Sequence, residues 1–248
     1  MDLLRDKTLK VKEERGVKHH QPTPNSSKSP ISGETLMVGC YEDCLCLVYL
    51  QNFRCLHKLE LLKIQFPFCI SRYPMDLLSK RLGFPTCLNK LHLINCSLTR
   101  VDLAMIGSLP HLQVVELEHI SVLGGEWSAV AGDFPCLKYL RINSCDLVYW
   151  GVEASAFGVL ERLFVEDLWQ LKEIPSEMGE INRLDLIYVH HCSESAAISA
   201  MEIKREQESF GNDGLRIQVN ISFVSGYGFL ERAKEEGLPI DVIRHRPF

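Results

Sequence analysis

One spacing constrains this chain more than any other feature. From Phe134 to Trp150 the sequence reads FPCLKYLRINSCDLVYW, and Leu137, Leu140, Ile142, Cys145 and Leu147 fall into the pattern L-x-x-L-x-L-x-x-C-x-L. The same frame recurs at Leu88/Leu91/Leu93/Cys96/Leu98, at Leu112/Val115/Leu117/Ile120/Val122, at Leu160/Leu163/Val165/Leu168 and at Leu184/Ile187/Val189/Cys192. The first positions are 88, 112, 137, 160 and 184, so the steps are 24, 25, 23 and 24 residues. A pattern that returns at so constant a step excludes folds in which each segment packs differently from the last.

The step lies inside the range of about 20 to 29 residues that defines leucine-rich repeats. The physics follows from the L-x-L core of each copy. A short strand sends alternate side chains to opposite faces, so the leucines turn inward and the residues between them outward. One repeat cannot bury its own apolar face, and stacking neighbours at roughly 4.8 Å continues the sheet and covers it. The predicted fold class is therefore α/β, a leucine-rich-repeat solenoid with a curved parallel sheet on the concave side. A step this short predicts an irregular or short-helical convex side.

Composition narrows the function. A net charge of −5 gives no general reason to expect nucleic acid as a partner. The opening residues, MDLLRDKTLKVKEERG, lack the apolar run of a secretory signal, and no stretch of 18 apolar residues suits a transmembrane helix. Ten cysteines without such a signal are expected to be reduced thiols in a cytoplasmic protein.

Residues 1–35, rich in Pro, Ser and Asn, are predicted to be a disordered N-terminal segment. Residues 36–55 would form a degenerate repeat or N-terminal cap, with a strand at Leu45–Leu50. The repeats proper are placed at 56–192, starting with Leu56, Leu59, Leu61 and Ile64; the next start is 32 residues on, which implies either a long insertion around SRYPMDLLSKRLGFP or an irregular repeat. Residues 193–219 should cap the last repeat with a helix, N-capped by Ser193 or Ser195 and stopped at Gly211, followed by an edge strand, LRIQV. The tail, 220–248, follows no repeat frame.

Candidate chemistry is sparse. Cys40, Cys44 and Cys46 lie close together but lack a second ligand pair at zinc-finger spacing. Cys96, Cys145 and Cys192 share one inward repeat position and should sit about 10 Å apart, too far for a shared ion or a disulfide. His190 and His191 beside Cys192 suggest a thiol with its base, yet Cys192 should point inward and His190 outward. No catalytic, cofactor-binding or metal-ligating residues are assigned. Trp127, Trp150 and Trp169 fall in convex or turn segments, where they should act as fillers.

The outward strand positions are the candidate protein-binding face. The middle x of L-x-L gives His92, Glu116, Arg141, Phe164 and Tyr188 on consecutive strands. The row after it gives Ile94, Glu118, Asn143, Glu166 and His190, and the row before it Lys90, Val114, Tyr139, Arg162 and Leu186. Exposed aromatics and arginines among charges have the composition of interface anchors. The plainer alternative is a solvated face in which Glu116 and Arg141 pair across strands.

The segments FPTCLNKLHLINCSL, IGSLPHLQVVELEH, GGEWSAVAGDFPCLKYLRINSCDLVYW, LKEIPSEMGEI and HHCSESAAISAMEIKREQESFGNDGLRIQV resemble the C-terminal repeats of plant intracellular immune receptors. The likeness is to the coiled-coil, nucleotide-binding, leucine-rich-repeat class, in the group similar to late blight resistance proteins, and covers roughly residues 56–219. It implies a recognition module for plant defense and innate immunity that binds protein: a pathogen effector, a host protein the effector modifies, or the receptor's own nucleotide-binding domain, held off until then. The sequence has no Gly-Lys dipeptide and hence no G-x-x-x-x-G-K-[ST] phosphate loop, so the likeness implies the sensing half only. Two other readings are a leucine-rich-repeat substrate adaptor for ubiquitin ligation, for which residues 1–35 are too polar to supply an F-box, and a truncated fragment without function.

Overall fold

The computed structural model describes residues 34–39, 57–66, 83–211, 213–220, 234–235 and 243–244. The strand expected at Leu45–Leu50, Cys40, Cys44 and Cys46, and residues 71–82 of the expected insertion lie outside these residues.

The main sheet contains nine parallel strands among the described residues. In spatial order they are β1 (Glu34–Gly39), β2 (Leu59–Gln65), β3 (Lys90–Ile94), β5 (Val114–Glu118), β8 (Tyr139–Asn143), β10 (Arg162–Glu166), β11 (Leu186–His190), β12 (Arg216–Asn220) and β13 (Ile243–Arg244). From β2 to β12 the register is uninterrupted, so repeat-equivalent residues lie directly side by side. Inward leucines and their equivalents, such as Leu91, Leu117, Leu140, Leu163 and Ile187, form a continuous buried core.

Five consecutive strands leave the sheet through the same corner. Asn95, His119, Ser144, Asp167 and His191, the residues immediately after β3, β5, β8, β10 and β11, all have φ between 49° and 56°. This left-handed conformation turns the chain sharply, and Asn and His tolerate it better than most residues. Their N–H groups donate to the carbonyl of the last residue of the next strand, as from Asn95 to Glu118, His119 to Asn143, Ser144 to Glu166, Asp167 to His190 and His191 to Asn220. The ladder thus continues one rung beyond the strands and satisfies the corner backbone.

On the convex side, β4 (Ser97–Leu98) pairs with β6 (Ser121–Val122), and β7 (Glu126–Ala129) with β9 (Tyr149–Val152). A two-turn helix, α1 (Arg100–Gly107), starts from a capping box in which the Thr99 hydroxyl accepts from the Asp102 N–H and Asp102 accepts from the Thr99 N–H. A 3-10 helix spans Ser176–Glu180. The buried rings of Trp127 and Trp150 stack at 5.4 Å and those of Phe134 and Phe157 at 4.6 Å, making an aromatic filler between the convex segments and the sheet. The longer helix α2 (Glu194–Ser209) covers the last repeats with Ala196, Ala197, Ala200, Met201 and Ile203. Ser193 caps it by accepting from the Ala196 N–H, and Gly211 follows its end with φ of 77°.

Several expectations need correction. The first repeat reads Leu59, Leu62, Ile64, three residues later than Leu56, Leu59, Leu61, because Leu62 and Ile64 align with the buried Leu91 and Leu93 while Leu61 aligns with outward Lys90. Its step to Leu88 is then 29 residues, at the upper end of the repeat range. Strand β1 begins at Glu34, across the boundary drawn at 35. LRIQV is not an edge, because β13, from the tail, pairs with β12 beyond it. Ile94, placed on the outward row, is buried between Gln65 and Glu118 of the adjoining strands. Trp169 is exposed and stacks on His191 rather than filling the interior.

Candidate interaction surface

The three outward rows of the sheet run side by side across the concave face. In the middle row Lys63, His92, Glu116, Arg141, Phe164, Tyr188 and Gln218 are adjacent in that order. The row before it runs Leu61, Lys90, Val114, Tyr139, Arg162, Leu186 and Arg216, and the row after it Gln65, Ile94, Glu118, Asn143, Glu166, His190 and Asn220. All the candidate residues on β3 to β11 therefore share one surface. Lys63, Leu61, Gln218 and Arg216 belong to it too. The misplaced frame of the first repeat hid the first two, and reading β12 as a cap hid the others.

The face divides into two chemistries. Toward β3 and β5 it is charged and internally paired. Lys90 Nζ lies 2.7 Å from Glu116 Oε1, and His92 lies 3.3 Å from Glu116 and 3.2 Å from Glu118. Burial, together with the nearby Lys63 cation, holds the His92 pKa below its ordinary value despite these carboxylates. Arg141 does not pair with Glu116 as the solvated-face reading expected. It reaches instead into the row after its own and donates two hydrogen bonds to Glu166, at 2.9 and 3.1 Å, while Asn143 Nδ2 donates to the same carboxylate at 3.3 Å. These bonds push the Arg141 pKa up and fix the guanidinium in plane.

Toward β8, β10 and β11 the face is aromatic. The rings of Tyr139 and Phe164 lie 5.1 Å apart and those of Phe164 and Tyr188 5.6 Å apart, a stripe that crosses three strands. Phe164, Tyr139, Tyr188 and Leu186 were expected to be exposed, but each is half-buried because its neighbours lie against it. Burial also raises the Tyr139 pKa above its ordinary value. Arg162 is exposed beside the stripe, 4.0 Å from Asp185, which also pairs with Arg216 at 3.2 Å. Asp185 lies just ahead of β11, outside the L-x-L frame that the outward rows were read from.

The strand-end corners carry further groups. Asp167, His190 and His191 come together where β10 and β11 end, with His191 Nδ1 3.5 Å from Asp167 Oδ1. Cys192 Sγ turns inward and lies 3.4 Å from the carbonyls of both Val165 and His190, either of which accepts its one proton. Burial pushes the Cys192 and Cys145 thiols up to about 12 and raises Cys96 as well, so these residues are held as neutral thiols rather than nucleophilic thiolates. A cavity of about 740 Å³ lies on the convex side, between β9, the 3-10 helix and α2, and is lined by Trp150, Glu153, Glu173, Glu202 and Glu206 among others. It takes no part in the concave face. No helix among the described residues is long and apolar enough to cross a membrane.

No family model matches the chain. The late blight resistance protein R1-A of Solanum demissum is 32% identical over 183 residues, which is 69% of this chain and 13% of that protein. A late blight resistance protein homolog from the same plant is 32% identical over 184 residues, 69% of this chain and 14% of its own length. Another is 38% identical over 100 residues, 40% of this chain and 8% of its own length. The chain is thus related to one segment of these plant resistance proteins and matches 8% to 14% of their length.

Proposed function

We propose that this relative of plant late blight resistance proteins is a recognition module of disease-resistance type, which binds protein through the aromatic half of its concave face. The observation that carries this reading is the stripe Tyr139, Phe164, Tyr188, three rings in contact on adjacent strands of a continuous, gap-free sheet. Aromatic side chains dominate interface energetics because they bring large, stiff apolar area at low entropic cost. Arg141 and Glu166, already locked to each other beside the stripe, form a polar rim that a partner meets without having to order it. In this reading the chain carries no catalytic step and needs no cofactor. Its partner is a pathogen effector, a host protein that an effector modifies, or the nucleotide-binding domain of a resistance protein, and binding takes place in the cytoplasm.

The test is the double substitution Phe164→Ala/Tyr188→Ala, titrated against each of these partner classes. The expected outcome is a retained fold and a loss of about 2 kcal/mol or more in affinity for at least one of them, roughly thirtyfold. Unchanged affinity for every partner that wild type binds would leave the stripe without a binding role.

A further inference from the structure

We propose that Asp167, His190 and His191 form a site for one divalent transition-metal ion of the zinc, cobalt or nickel class, at the corner where β10 and β11 end. Each residue offers a ligand atom, and the three atoms all lie within 4.8 Å of one another. An ion bound at about 2.1 Å draws tetrahedral ligands to about 3.4 Å apart, so small rotations of half-exposed side chains complete the site. His191 and Asp167 are already at 3.5 Å.

The backbone supplies the rigidity that such a site requires. Asp167 and His191 are repeat-equivalent corner residues with φ of 54° and 49°, and their N–H groups are fixed to the carbonyls of His190 and Asn220. His190 ends a strand within the sheet. The outer faces of the two rings are supported, Tyr188 stacking on His190 and Trp169 on His191, while the His190 and His191 rings, now stacked with centroids 3.8 Å apart, rotate out of that stack so that their nitrogen lone pairs converge on the ion. Donors built on rigid elements and supported by packed neighbours are the condition for a working metal site.

The other corners provide an internal comparison. Asn95, His119 and Ser144 occupy the same position in earlier repeats, yet among the described residues only the Asp167 corner gathers three such donors. Two imidazoles and one carboxylate favour zinc, cobalt, nickel or copper over magnesium or calcium, which prefer all-oxygen shells. Cys192 is next in sequence but supplies no ligand, since its Sγ faces inward to the Val165 carbonyl. Three protein donors leave at least one coordination position open to solvent, beside Tyr188 and the aromatic stripe.

The experiment titrates the reduced full chain with Co²⁺, followed by absorption, and with Zn²⁺, followed by calorimetry. The expected result is one ion with cobalt d–d bands of nitrogen and oxygen ligation and no thiolate-to-cobalt charge-transfer band. His190→Gln/His191→Asn should weaken binding by more than about a hundredfold, beyond the roughly 10- to 100-fold effect of losing an outer-shell partner. Asn is chosen at 191 because it accepts the left-handed backbone. Should that variant melt at a lower temperature, the near-isosteric Asp167→Asn supplies the same reading, while His119→Asn, at an equivalent corner, should bind as wild type does. Absence of binding by wild type overturns the proposal. So does a charge-transfer band that persists in the double variant, since the ion then sits on cysteines.

Discussion

The convex aromatics Trp127, Phe134, Trp150 and Phe157 and the concave aromatics Tyr139, Phe164 and Tyr188 come from overlapping repeats but meet opposite surroundings. The convex rings are at most 4% exposed and stack between the sheet and the outer strands. The concave rings touch one another to a similar degree but remain half-buried, with solvent on one side. Composition does not separate the two groups. Position in the repeat does: Phe134 and Phe157 lie three residues before Leu137 and Leu160, in turns with φ of 56°, whereas Phe164 is the middle x of L-x-L. The same residue type is therefore filler in the turns and, as proposed, an anchor on the concave face of a strand.

The largest expected effect comes from placing a charge on the inward side of this division. Cys145→Asp buries a carboxylate among leucines and should cost more than about 4 kcal/mol, enough to lose cooperative folding in a thermal melt. An unchanged melting temperature would mean that the cysteine row does not face the core. Next in size is a test of the first repeat, where inward and outward were read one frame apart. Leu62→Ala should destabilise by about 2–5 kcal/mol, while Leu61→Ala should stay within about 1 kcal/mol, as measured by urea unfolding. The reverse order would restore the earlier frame and move every outward residue of β2.

The smallest effect is electrostatic and belongs to the charged half of the concave face. His92 has a folded pKa below the ordinary 6.5, chiefly through burial and then through Lys63, against the opposing pull of Glu116 and Glu118. The unfolded chain therefore binds more protons across that window, and stability rises with pH there. The contribution is fully present above about 6.5 and is lost as pH falls toward the lowered folded value. His92→Gln should flatten this part of a stability-versus-pH curve. A slope identical to wild type would assign the dependence to another group.

The fold was legible in the sequence wherever the repeat was regular. Leu88 to Cys192 declared both the sheet and its in-and-out alternation, since one slipped residue would expose every leucine. The frame failed at Leu56–Ile64 because that stretch, CLHKLELLKI, has leucines at four of its ten positions and several registers fit it. The site was legible as three rows of residues but not as contacts. Nothing in the spacing tells that Arg141 turns to Glu166 and leaves Glu116 to Lys90, since both carboxylates lie within reach of the guanidinium and geometry decides between them. The gathering of Asp167 with His190 and His191 was equally hidden, because it depends on left-handed corners one repeat apart.

The division between filler and anchor is tested most directly by measuring the unfolding free energies of Phe157→Ala and Phe164→Ala side by side in urea. Phe157→Ala should cost about 3–5 kcal/mol, since it opens a cavity against Phe134, Trp127 and Trp150. Phe164→Ala should cost about 1–3 kcal/mol, the scale of the two ring contacts with Tyr139 and Tyr188. Equal losses in the two variants, or the larger loss at Phe164, would contradict the account.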